Sequence, residues 1–219
     1  MIDTTRHIDV FNPGAWGQRR VDVIGVGAIG SKIALSLAKL GVQNLHVWDH
    51  DVVEAHNIAN QVYGANDEGL LKVVALQDRI EELTGCAITQ HERWGGERNL
   101  GEVVFLPVDS MAVRREFLEA HRLSASTRLV IETRMGATHG QVLSYRPNDP
   151  ASLSRYEGTL FSDDDAEVEA NACGTAITVG PTGDIISGFA VWRFLRYVAG
   201  EDVEPELAIG GRSPQLVQL

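Results

Sequence analysis

Residues 20 to 41 read RVDVIGVGAIGSKIALSLAKLG, a run compatible with few folds. A short apolar stretch from Arg20 to Gly25 ends in glycines, and apolar residues then recur at positions 29, 33, 37 and 40 before Gly41. That pattern is a buried strand, a tight turn and a helix with a glycine stop. Within the turn, Gly25 permits the sharp reversal, Gly27 lets a phosphate approach the backbone, and Gly30 lets helix and strand pack closely. The N-terminus of the helix favours the anion.

The alternation continues down the chain. NLHVW (44–48) predicts a second strand that ends at Asp49, and a helix fits Gly69 to Leu83 with Gly85 closing it. Further strands fit Ala87 to Gln90, Val103 to Val108, Leu129 to Thr133 and Gln141 to Tyr145, with a helix from Met111 to His121 among them. Strands alternating with helices imply an α/β, Rossmann-like doubly wound fold, its sheet mostly parallel and covered on both faces. Residues 1–219 read as a single domain. From about 146 to 172 the periodicity lapses into what reads as a long surface loop, and its five acids between 163 and 169 read as a solvated face. A helix over Asp184 to Val198 and a polar tail close the chain.

Composition narrows the function. A 44% hydrophobic content suits an ordinary globular core, and the formal charge of −11 with a pI near 5.0 argues against a nucleic-acid surface. The N-terminal MIDTTRHIDVF lacks the basic start of a signal peptide, and no stretch approaches the roughly 18 apolar residues of a membrane span, so the expected place is the cytoplasm. Cys86 and Cys173 are the only cysteines, so neither a zinc site nor a disulfide framework is expected. Cys86 reads as core.

Asp49 stands where a carboxylate binds ribose hydroxyls after a glycine turn. Taken alone, the turn and Asp49 favour NAD or FAD. However, Asp49 opens DHDVVEAHNIANQ, in which Asp51 and Glu54 add charge, Asn57 and Gln61 add amides, and Lys72 follows on the next helix. A lysine there can neutralise a triphosphate, although on position alone it reads as a solvated helix residue.

The combined run from Gly25 to Gln61, followed by GLLKVVALQDRI, by VDSMAVRR (108–115), by ETRMGATHGQV (132–142) and by CGTAITVGPTGDIISGFAVWRFLR (173–196), resembles the ThiF/MoeB/HesA family, bacterial relatives of ubiquitin-activating enzymes. The resemblance covers nearly the whole chain. It implies a C-terminal mixed or antiparallel extension of the sheet, and ATP- and magnesium-dependent adenylation of the C-terminal glycine of a ubiquitin-like or sulfur-carrier protein ending in Gly-Gly, by a homodimer. Asp49 would hold the ribose, with Asp51 beside it; Asn57, Gln61 and Lys72 would face the phosphates, and Asp109 would bind the metal. Arg6 resembles an arginine that some members insert into the neighbouring subunit, and Cys173 stands where the family often places the cysteine that receives the activated acyl group. Five neighbouring acids would raise the Cys173 pKa rather than lower it.

One departure stands out. Family members usually carry an arginine before the glutamine, and here it is Asn60. Arg134 and Arg6 are the candidates for replacing its charge. The departure also leaves open a non-catalytic, nucleotide-binding subunit of a heterodimer; an NAD-dependent oxidoreductase is the third reading, for which no catalytic His, Lys or Tyr set is recognisable.

Overall fold

The computed structural model describes residues 2–162, 177–210 and 215–218. After a four-residue helix, α1 (Pro13–Trp16), the chain alternates as β1 (Val21–Ile24), α2 (Gly30–Leu40), β2 (Leu45–Trp48), α3 (Lys72–Thr84), β3 (Thr89–His91), β4 (Val103–Leu106), α4 (Met111–His121) and β5 (Leu129–Met135). It continues through β6 (His139–Tyr145), α5 (Pro150–Glu157), α6 (Gly180–Val198), β7 (Glu206–Gly210) and β8 (Gln215–Gln218). These strands form one sheet in the order β3-β2-β1-β4-β5-β6-β7-β8. Pairing is parallel from β3 across to β5 and antiparallel from β5 to β8. The expected doubly wound sheet with an antiparallel extension is therefore present.

The parallel half is dry on both faces, as its continuous apolar strands require: every residue of β1 and β4 is buried. One face carries α2, α3 and α6, where Phe194 meets Trp16 at 5.1 Å and Phe11 at 5.5 Å between ring centroids. The other packs Ile24, Leu106 and Val130 against Phe117 of α4 and Leu153 and Tyr156 of α5. No helix among the described residues is long and apolar enough to cross a membrane.

Helix α3 starts at Lys72 rather than Gly69, and three expectations in the C-terminal third need correction. The segment 146–172 is not loop throughout, since α5 occupies Pro150–Glu157. Asp149 caps it by accepting from the Ala151 N–H at 3.0 Å, and proline sits in the first turn, where its missing N–H costs nothing. The remainder of that segment, from residue 163, lies outside the described residues. The polar tail contains β7 and β8, short strands whose register comes from pairing with β6 rather than from local pattern. Helix α6 starts at Gly180, not Asp184, again with proline in its first turn.

Burial sets a pH dependence. His121 is 1% exposed, and His46 and His91 lie 3.0 Å apart between ring nitrogens at the β2–β3 edge. Burial lowers all three below the ordinary 6.5. The unfolded chain takes up these protons at higher pH than the folded one, so their contribution is complete above about 6.5 and is lost as pH falls through the depressed folded values. Melting temperature is expected to drop between about pH 7 and pH 5, and His121→Phe to flatten that slope. An equal slope in the variant would assign the dependence to other groups.

Candidate functional site

The glycine turn joins β1 to α2 at the C-terminal edge of the parallel strands. Gly25 has φ +93°, and a Cβ there would lie 3.0 Å from the Pro107 carbonyl oxygen. A Cβ on Gly30 would come within 1.9 Å of the Gly25 oxygen and 2.8 Å of Pro107 Cγ. A Cβ on Gly27 would meet no atom within 4 Å, so the backbone there faces open space. Helix α2 begins without a side-chain cap, which leaves its positive end to the cleft.

Asp49, just past β2, fixes this turn: its carboxylate accepts from Val26 N at 2.7 Å and from Asp51 N at 2.9 Å. Tyr63 closes it from outside, its hydroxyl donating to the Val26 carbonyl at 2.7 Å. Asn57 is 6% exposed, and its Oδ1 accepts from Glu54 N at 2.9 Å, holding the turn that leads to Gln61. Lys72 opens α3 and is not a solvated residue. Its side chain is 9% exposed, with Nζ 2.7 Å from Asp51 Oδ2. Partial burial pushes the Asp51 carboxyl up, but the hydrogen bond and charge of Lys72 outweigh this, so it lies below its usual value.

These groups line one cleft of about 1210 Å³: Gly25 and Gly27 from the turn, Asp49 and Asp51 behind β2, Asn57, Gln61 and Lys72 from the segment that follows, and exposed Asp109 behind β4. A cleft outside the carboxyl ends of parallel strands, where the crossovers change direction, is where such sheets bind ligands. Gly30 packs beneath it. Arg6 is exposed and lies outside the lining, and Cys173 lies outside the described residues. Ligand-type atoms of Asp49, His50 and Asp51 lie within 4.8 Å of one another; Asp109 is not in that group. Cys86 is half-buried against the core.

Two features escaped the sequence reading. Asn60 Nδ2 donates to the Thr178 hydroxyl, 118 residues on, while Asn60 Oδ1 and Gln61 Oε1 are buried acceptors without a donor among the described residues. On the far wall, fully buried Glu132 receives Arg134 Nε and Nη2, both at 2.9 Å, and lies 2.9 Å from Arg114 Nε. The alternation E-T-R at the end of β5, which puts Glu132 and Arg134 on one face, was the available signal.

The family model described as ThiF matches residues 14–212. The chain belongs to the ThiF family. Among ThiF relatives, the probable molybdopterin-synthase adenylyltransferase of Gracilaria tenuistipitata var. liui is 25% identical over 211 residues, covering 89% of this chain and 57% of that protein. Ubiquitin-like modifier-activating enzyme 5 of Caenorhabditis elegans is 38% identical over 63 residues, 29% of this chain and 15% of that one. The chain thus spans little more than half of the first relative and a small part of the second. In fold it resembles E. coli MccB crystallised with ATP (TM-score 0.73, 11% identity, 94% of this chain and 65% of that one). PaaA gives a TM-score of 0.70 at 22% identity, covering 91% of this chain and 63% of that one.

Proposed function

We propose that this ThiF-family chain binds ATP and magnesium in the cleft and adenylates the C-terminal glycine of a ubiquitin-like or sulfur-carrier protein. The observation that carries this reading is the meeting, in one cleft, of an open glycine turn with Asp49, Lys72 and Asp109. The names of the ThiF relatives, adenylyltransferase and modifier-activating enzyme, point the same way.

The residues fit a hydrated, phosphate-bearing ligand. Open space at Gly27 admits a phosphate to the backbone, and the orphaned oxygens of Asn60 and Gln61 need a partner that brings hydrogen-bond donors, as the waters of a hydrated cation do. Oxygen-only carboxylate donors such as Asp109 suit magnesium. When bound, magnesium neutralises charge on the phosphate oxygens.

In the reaction, a carboxylate oxygen of the carrier's last glycine forms a bond to the α-phosphorus. The bond from that phosphorus to the bridging oxygen breaks, and pyrophosphate leaves with the electron pair. The carboxylate is already ionised near neutral pH, so no general base is required. Asp49 orients the ribose, the α2 N-terminus and Lys72 stabilise phosphate charge, and Asn57 and Gln61 shape the pyrophosphate end, so catalysis is positional and electrostatic. The Cys173 sulfur would then bond to the acyl carbon as the acyl–phosphate C–O bond breaks, AMP leaving with the electron pair and the thiol proton passing to solvent, and Arg6 would serve a second copy of the chain.

Labelled pyrophosphate is expected to enter ATP only in the presence of a carrier ending in Gly-Gly. A rise in melting temperature with NADH but not with ATP would sink this reading in favour of a dehydrogenase.

A further inference from the structure

The wall formed by β5 and α4 holds a buried charge imbalance. The side chains of Arg114 and Arg134 are 5% and 12% exposed, and both pair with the single carboxylate of Glu132, itself 0% exposed. Among the described residues no second carboxylate pairs with either guanidinium. The neighbouring Tyr145 and Tyr156 add no negative charge, because burial and the nearby Glu132 carboxylate push both phenols up. Two guanidiniums and one carboxylate leave a formal excess of one positive charge, which is costly to bury without an anion. Arg114 and Arg134 both line the cleft, so an anion can reach them.

Strand order says which anion. Asp49 follows β2, the glycine turn follows β1, Asp109 follows β4, and Arg134 lies on β5, so the two arginines stand on the side of the cleft away from the ribose carboxylate. Lys72 and Gln61 lie after β2, on the opposite side. A nucleophile and its leaving group take opposite sides of the phosphorus in an in-line displacement. With the pyrophosphate end at Lys72 and Gln61, the β5 wall receives the attacking group. We propose that Arg134 binds the C-terminal carboxylate of the incoming protein, and that Glu132 is the positioning residue that seats it. Four hydrogen bonds, two to Glu132 and two to Thr159 (2.8 Å to its carbonyl, 2.9 Å to its hydroxyl), fix the guanidinium before substrate arrives. The inference rests on the adenylation reading for the identity of the carboxylate, and on the charge imbalance for its place.

Calorimetry with a short synthetic peptide ending in Gly-Gly, as free acid and as C-terminal amide, tests it. Wild type is expected to bind the acid about tenfold or more tightly than the amide, the scale of a charge-assisted contact. Arg134→Gln is expected to erase that preference, and Arg134→Lys to keep part of it. The double variant Glu132→Gln with Arg134→Gln is expected to regain part of it, since Arg114 alone restores one positive charge to the wall. A wild type that binds acid and amide alike, or binds neither, overturns the proposal. So does Arg134→Gln that keeps the preference or weakens both peptides equally, as loss of packing alone would. Pyrophosphate exchange on the same proteins separates the two claims: acid preference without exchange removes adenylation and leaves the carboxylate site standing.

Discussion

Gly30→Ala is expected to lower the melting temperature by roughly 10 °C, whereas Gly27→Ala, three residues away, is expected to leave it almost unchanged and to lose ATP binding instead. The contrast follows from what each Cβ would meet. At Gly30 it would lie 1.9 Å from a backbone oxygen of the same turn and 2.8 Å from Pro107, so α2 must retreat from β1 and from the β4 end together. Backbone cannot yield as a flexible side chain does, and overpacking of this kind costs about 3 kcal/mol, at the upper end of its range. At Gly27 the new methyl enters open space and strains nothing, but it occupies the volume a phosphate would use. Thermal melts of both variants with and without ATP decide the matter. A stable Gly30→Ala, or a Gly27→Ala that ATP still stabilises fully, would contradict the roles assigned to the two glycines.

The glycine turn was legible in the sequence because its chemistry is local. A strand, a reversal and a helix lie within 22 residues, and each glycine answers to a backbone constraint within that unit. The same holds for α4, whose bounds Met111–His121 coincide with the expectation because its apolar spacing and its Ser110 cap both mark it. Legibility fails where contacts are distant. Helix α5 has one strong local signal, the Asp149–Pro150 start, and only Ser152, Leu153 and Tyr156 buried, too short a stripe to show a period. Strand β7, ELAIG, is a strand because β6 pairs with it. The candidate site divides along the same line. Asp49 is readable as the residue ending a strand, but the pairing of Lys72 with Asp51 across 21 positions, the Asn60–Thr178 bond across 118 and the sharing of Glu132 by Arg114 and Arg134 arise from the sheet bringing separate segments to one edge.

That distinction decides what removing the Lys72 charge should do. Lys72→Met keeps the buried stem and deletes only the ammonium, and the exchange rate is expected to fall by about 10²- to 10³-fold, the loss typical of one preorganised electrostatic group. Stability should scarcely move. The partner, Asp51, has a side chain that is 53% exposed, so the carboxylate left behind is solvated, and ion pairs with an exposed member contribute little to folding. The pair also holds at any pH suited to the assay, because Lys72 keeps the Asp51 carboxyl below its ordinary range against the opposing effect of burial. A charge held at a cleft wall by an exposed carboxylate can be shared with an incoming triphosphate at small cost, whereas a fully buried pair could not be opened so readily. Melting curves and exchange rates measured on the same preparation discriminate the alternatives. A large fall in melting temperature with exchange proportionate to the folded fraction would make Lys72 a structural residue, and unaltered exchange would remove it from the phosphate site.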